Sequence, residues 1–234
     1  SFPTRRSSDL LFPGDDAMRV CPETVYRWIH SSKPRRERRA RCLPRGHRRR
    51  RKHAGRRVSR FPIPGRVSIA GRPPEADARS GFGHWEADSV IGMGCDLHTE
   101  VERRTRFLMA RVIPDKTAER SVGARLAMFA PLPAAARLSV THDNGTGFAR
   151  HARLRDEPGM ATYFADPYSS WQRGGNENRN GMIRRYLPKR TIIEPGMARE
   201  LQEIVDETDN RPMRALGHRT PAEAFADELP DLQL

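Results

Sequence analysis

From residue 81 onward the chain carries regular hydrophobic spacing, whereas residues 33–72 carry none. Trp85–Ile91 and Phe107–Ile113 are short runs rich in β-branched and aromatic residues, and both predict strands. Val122, Leu126 and Phe129 recur on one helical face and predict a helix over Thr117–Ala130. Leu138–His142 predicts another strand, ended by the Asn144-Gly145 turn signal, and Ala161–Phe164 a further one, closed by Asp166-Pro167. Helices are predicted at about Asn176–Tyr186, Ala198–Thr208 and Pro221–Asp227. Strands first, then strands alternating with helices, predict a mixed α/β sheet covered by helices.

Upstream the pattern is thinner. Pro22 suits a first helical position and Glu23 the positive end of a helix dipole, with Val25, Trp28 and Ile29 on one face. This segment reads equally as an ordinary amphipathic helix or as the second helix of a helix-turn-helix. Residues 1–10, SFPTRRSSDL, fit an in-frame translation of a sequencing-adapter oligonucleotide and are set aside from fold reasoning. With no initiator Met, the chain is expected to be the C-terminal piece of a longer protein. The expected organisation is an adapter artefact at 1–10, a helix-turn-helix remnant at 11–32, a basic and largely disordered linker at 33–80, a catalytic domain at 81–228 and a tail at 229–234.

Charge sharpens this division. The 234 residues carry a formal net charge of +14. Between Lys33 and Arg60 stand 15 Lys or Arg against a single acid, Glu37, while the other 206 residues hold 28 basic and 28 acidic groups. A GC-rich genome explains why 39 of the 43 basic residues are Arg, but not their concentration in one stretch. Like-charge repulsion and missing core residues argue for disorder in isolation. A polyanion would neutralise the stretch, and nucleic acid is the natural one, with Arg48, Arg49, Arg50, Arg51 and Lys52 as candidate DNA contacts. The longest apolar candidate, Leu126–Ala136, is broken by Pro131 and Pro133, so no span approaches the roughly 20 residues of a membrane helix. Cys21, Cys42 and Cys95 form neither a disulfide framework nor a zinc pair, and a reducing cytoplasm is the expected compartment.

Three carboxylates are candidates for chemistry. Asp88 lies inside an otherwise apolar or small strand (WEADSVIG), Asp143 where the strand LSVTH ends, and Glu177 at a helix start after WQRGGNEN. A carboxylate in a core strand is costly unless paired or bound to a metal. Three of them converging on one sheet edge would repel one another, and divalent cations remove that cost in a way that suits phosphoryl transfer. Taken singly, Asp-Asn-Gly is as readily a plain turn, and Glu at a helix start plain dipole compensation. Along the helix that Glu177 opens, Met182, Ile183 and Tyr186 form a stripe expected to pack on the sheet. Glu177, Asn180 and Arg184 form another, which would face a DNA backbone or merely solvent.

GHWEADSVIG, VERRTRF, HDNGTGF, YFADPYSSWQRGGNENRNGMIRRYLPK and NRPMRALGHRTPAEAF, in this order, resemble the transposases of the IS-thirty insertion-sequence family. The likeness runs from about Arg19 to Phe225, and its block from Tyr163 to Lys189 is highly specific. The resemblance implies an RNase H-like core of the retroviral-integrase type. It implies an Asp-Asp-Glu triad at Asp88, Asp143 and Glu177 holding two Mg2+ or Mn2+ ions. It implies DNA cleavage and strand transfer on element ends and target DNA, in a homo-oligomeric, nucleoid-associated bacterial complex. Lys189, Arg184 and Arg173 are expected phosphate contacts. The rivals are a nuclease of the same fold that cuts without rejoining, and a non-catalytic DNA-binding remnant. The family's DNA-reading region is mostly missing. Gly147 stands where an acid is common and Ala87 where Gly is. The stretch MGCDLHTE between Gly92 and Val101 is about two residues short and lacks the apolar run the strand after Asp88 needs, so the sheet is expected to pair poorly there.

If the arm tracks DNA, binding must depend steeply on salt. Neutralising about 6–10 phosphates costs roughly 10³–10⁵ in affinity between about 50 and 200 mM salt. Fluorescence anisotropy with a labelled duplex checks this, and a flat response contradicts the arm's role.

Overall fold

In the computed structural model the described residues are 28, 63–167 and 169–229. The chain divides into two units, Ser1–Arg57 and Val58–Leu234, and the fold below belongs to the second. The helix-turn-helix remnant (save Trp28, helical and exposed) and Arg48–Lys52 lie outside the described residues.

Five strands make the main sheet: β1 (His84–Val90), β3 (Asp96–Glu102), β4 (Leu108–Ile113), β5 (Ser139–His142) and β6 (Ala161–Phe164), in the order β4-β3-β1-β5-β6. β1, β3 and β4 form an antiparallel meander, while β5 and β6 run parallel to β1. A short parallel pair, β2 (Met93–Gly94) with β7 (Ile192–Ile193), stands apart. Among the described residues there are six α-helices: α1 (Pro74–Ala78), α2 (Ala118–Phe129), α3 (Ala152–Asp156), α4 (Gly174–Tyr186), α5 (Ala198–Asp209) and α6 (Pro221–Glu228). The predicted mixed sheet with helical cover is what the chain forms.

Alternation along β1 divides the core. Trp85 and Ala87 point into one cluster with Val122, Phe129, Val140, Phe148, Phe164 and Phe225. Val90 joins the other, with Leu97, Val101, Leu108, Ile183, Leu187, Leu201, Ile204 and Val205. The Trp85 indole is fully buried, donates to Ala136 O at 2.8 Å, and meets Phe129 edge-on with centroids 5.3 Å apart. On α5, Leu201, Ile204, Val205 and Thr208 follow the i, i+3, i+4, i+7 spacing of a helix with one buried face. Thr220 and Glu223 form a capping box at the start of α6, with Pro221 at its first position.

Two expectations change. Residues 63–80, read as linker, pack onto the sheet from Ile63 on: Ile63 and Ile69 are buried, Ser68 bridges to Phe164, and Arg66 reaches Ala165 O. The MGCDLHTE stretch is not a pairing defect. β3 pairs with β1 from Trp85↔Glu102 to Val90↔Leu97 and with β4 over six further positions. Polar residues occupy its inward positions, each with at least one charged or hydrogen-bonding partner in the layer. His98 Nε2 and Arg125 Nε lie 2.9 Å from Glu100 Oε1, Arg125 Nη2 reaches the His142 ring at 3.1 Å, and Glu102 accepts from the Thr105 amide and hydroxyl. Burial and the Arg125 charge push the His142 pKa well down, so the ring enters this network neutral.

Arg125 is the cation that balances Glu100 in this layer. Arg125→Met is expected to destabilise the fold by about 3–5 kcal/mol, because Glu100 is left buried with its charge uncompensated. Urea unfolding measures this, and adding Glu100→Gln should recover part of the loss.

Candidate active site

Glu86, Asp88 and Val90 share the face of β1 that α4 covers. β5 pairs with β1 in parallel from His84↔Ser139 to Glu86↔Thr141. Carrying that register two residues further sets Asp88 beside Asp143, just past the end of β5. The two carboxylates come from adjacent strands for this reason.

Each is oriented locally. Asp88 Oδ1 accepts from the Ser89 amide at 2.9 Å and Oδ2 from Asn180 Nδ2 at 3.0 Å. Asp143 Oδ1 accepts from the Gly145 amide at 2.8 Å, an Asx turn. A Cβ on Gly145 would sit 2.8 Å from the same oxygen, so the glycine is required by close approach. Asn144 Nδ2 donates to Ala165 O at 2.8 Å and ties this loop to the end of β6. The Arg173 guanidinium lies between the pair, 3.5 Å from Asp88 Oδ1 and 3.6 Å from Asp143 Oδ2, and donates to Ala87 O at 3.0 Å. Burial raises the Asp88 pKa and Asp143 adds to the rise, while Arg173 and the Ser89 amide oppose it.

Glu177 stands exposed in the first turn of α4. That helix is fixed by a residue that the sequence reading passed over. Glu86, wholly buried, is paired with buried Arg103, and its Oε2 accepts from the Asn176 amide at 2.9 Å. Asn176 Nδ2 returns a bond to Glu86 O at 2.7 Å. A Cβ on Gly175 would lie 2.9 Å from Glu86 Oε2, which accounts for the glycine at this position of the helix start. The signal was present: Glu86 is an acid two residues before Asp88, on the same strand face. The Thr99 hydroxyl, opposite Asp88 in register, lies 3.1 Å from Asn176 Oδ1 and 2.9 Å from Asn180 Oδ1.

Of the predicted residues, Asp88, Asp143, Arg173 and Asn180 come together. Among the described residues no three His, Cys, Asp or Glu side chains form a group that could hold a metal, so Glu177 does not close a three-carboxylate cluster. Arg184 donates to the carbonyls of Ile91, Leu187 and Pro188, and Lys189 is exposed. The expected Met182–Ile183–Tyr186 stripe is corrected. The buried face is Asn176, Arg179 and Ile183, and Tyr186 lies at the surface, bonded to Glu207. Asn176 and Arg179 go inward because buried Glu86 and Asp209 give them charged partners.

Curated relatives match this chain along most of its length. It is 36% identical over 223 residues, 93% of the chain, to the transposase for insertion sequence element IS1086 of Cupriavidus metallidurans. It is 34% identical over 220 residues to transposase InsI for insertion sequence element IS30C of Escherichia coli (strain K12), and 35% identical over 209 residues to the transposase for IS4351 of Bacteroides fragilis. The chain belongs to the IS30 family of insertion-sequence transposases. It covers 90% and 88% of its own length in the last two comparisons, and spans 57–66% of the length of the three relatives. No protein-family model matches it. Among solved structures, the catalytic core domain of BIV integrase aligns over 66% of this chain and 100% of that one, with a TM-score of 0.52 and 19% identity. This likeness shows the fold: the mixed sheet and its helices are of the RNase H-like, integrase-core type.

The Gly175–Glu86 contact is directly testable. Gly175→Ala places a methyl group against a buried carboxylate and is expected to cost about 1–3 kcal/mol, read as a lower urea midpoint. Unchanged stability would mean that α4 is not seated on Glu86.

Proposed function

We propose that this chain is the catalytic part of a DNA transposase that cleaves DNA strands and transfers them, with Asp88, Asp143 and Glu177 as its acidic residues. The carrying observation is the pair Asp88 and Asp143, held at the ends of adjacent parallel strands around one shared cation, Arg173. The donor set fits hard divalent ions. All three candidate groups are carboxylates, and the two aspartates already face a common positive charge. Mg2+ or Mn2+, two ions by the family resemblance, would supply activation of an attacking oxygen and stabilisation of the leaving one.

The chain's own residues do the rest. Asn180 and the Ser89 amide hold the Asp88 carboxylate in a fixed rotamer, and the Gly145 amide does the same for Asp143. Glu86 sets where the first turn of α4 stands, and with it Glu177. Glu177, in the first turn of α4, is the third carboxylate of the set. The basic stretch around Arg48–Lys52, with Lys189, holds the DNA backbone. Element ends and target DNA are the partners, and the active complex is a homo-oligomer in the bacterial cytoplasm. Among the described residues no helix is long and apolar enough to cross a membrane.

Asp143→Asn should keep duplex binding but abolish divalent-ion-dependent strand cleavage and joining in an oligonucleotide assay, and Glu177→Gln should do the same. Residual cleavage near the wild-type rate in either variant overturns the assignment. Cleavage without joined product would favour a nuclease of the same fold.

A further inference from the structure

Beside the first turn of α4 lies a cleft of about 370 Å3, lined by Arg79, Arg106, Arg179, Gly174, Gly175 and Asn178 among others, with no acid in its wall. Its volume falls at the lower end of the roughly 300–1,000 Å3 usual for small-ligand sites. Three guanidinium groups border it, and they differ in how they are balanced. Arg179 is buried and paired with Asp209, yet its Nε is buried without a hydrogen-bond partner. Arg79 and Arg106 are half-buried and have no ion pair among the described residues. Partial burial and, after it, the charge of Arg79 push the Arg106 pKa down against Glu86 and Glu102, so the two cations repel each other. The carboxylates near Arg106 are committed elsewhere. Glu86 serves Arg103 and the Asn176 amide, and Glu102 the Thr105 amide and hydroxyl.

The backbone adds an independent observation. Arg79 and Arg106 both sit in the left-handed region, at φ 59° and 66°. For a residue with a Cβ this conformation is strained, and two like charges kept near each other add to the cost. Gly174 and Gly175, also in the lining, carry no side chain, and a Cβ at Gly174 would meet nothing within 4 Å. The cleft is therefore lined by glycines and arginines, and Arg79 and Arg106 bring it charge that no acid among the described residues pairs.

We propose that this cleft binds a phosphodiester group of the DNA strand being processed, with Arg79 and Arg106 as its contacts. The anion chemistry follows from the arginines alone, whereas DNA as the carrier of the phosphate rests on the function proposed above. Cleft and Glu177 share one helical turn, so a phosphate seated here fixes a strand within a few nucleotides of the carboxylates. Planar guanidinium forks suit phosphate oxygens better than any other common anion.

The test uses the whole chain and the variants Arg79→Asn, Arg106→Asn and the double variant, with Arg199→Asn on the exposed face of α5 as control. Asn tolerates the left-handed region, so removing the repelling charges should leave the phosphate-free melting temperature unchanged or raised. Inorganic phosphate, titrated at constant ionic strength, should raise the wild-type and control melting temperatures and leave the double variant unmoved. Duplex affinity should fall about tenfold or more in the double variant, and the salt slope should drop by about one per lost phosphate contact. An unchanged phosphate response in the double variant overturns the proposal. Loss of that response with DNA affinity and slope intact also overturns it, and reassigns the cleft to free phosphate. A wild-type chain that responds to phosphate but binds no DNA contradicts the proposed function instead.

Discussion

A buried ion pair, Glu86 with Arg103, fixes the geometry on which the rest of this unit depends. Isolated, a carboxylate in the middle of a core strand would be among the most costly groups to bury. Here it is held by a guanidinium that is itself bonded to Ala76 O, and it accepts an amide at the positive end of α4. The pair joins the β1–β3 meander, α1 and α4 at one point. Helix α4 in turn carries Asn180 to Asp88, Glu177 in its exposed first turn, and Gly174-Gly175 to the wall of the arginine cleft. An apolar pair could fill the same volume, but it could not define where the helix begins.

The other face of the sheet follows a related logic. Glu100, His98, Arg125 and His142 form a polar layer among aromatic rings, with Phe148 stacked on His142 at 4.9 Å. Hydrophobic spacing read β1, β4, β5 and β6 to within a residue or two, and α2, α5 and α6 likewise, because each keeps enough apolar residues at regular spacing beside its buried polar ones. It misread β3, where His98, Thr99, Glu100 and Glu102 are all fully buried. Residues buried by mutual pairing look solvent-facing in one dimension. The inward turn of Asn176 and Arg179 on α4 escaped prediction for the same reason.

The site was legible in its parts. Asp88 was marked by being an acid in a strand, and Asp143 by following one. That they meet is a property of parallel pairing between β1 and β5, which no local pattern states. Arg173, expected as a phosphate contact, instead stands between the two aspartates. An arginine near acids has the same spelling whether it meets ligand or neutralises its own chain. The arginine cleft was invisible for a stronger reason. Arg79, Arg106 and Arg179 lie far apart in sequence, and only the folding of α1, the β3–β4 turn and α4 against one sheet brings them together.

By itself, the sequence determined the fold class, most of the strands and helices, the family through its ordered motifs, and the division into a basic stretch and a charge-balanced body. Those properties are written in spacing and composition, which are local. The tertiary structure alone decided which charges are buried partners and which remain unbalanced. Ion pairing is a relation between residues remote in the chain, and its sign of contribution depends on how fully water is excluded from both members.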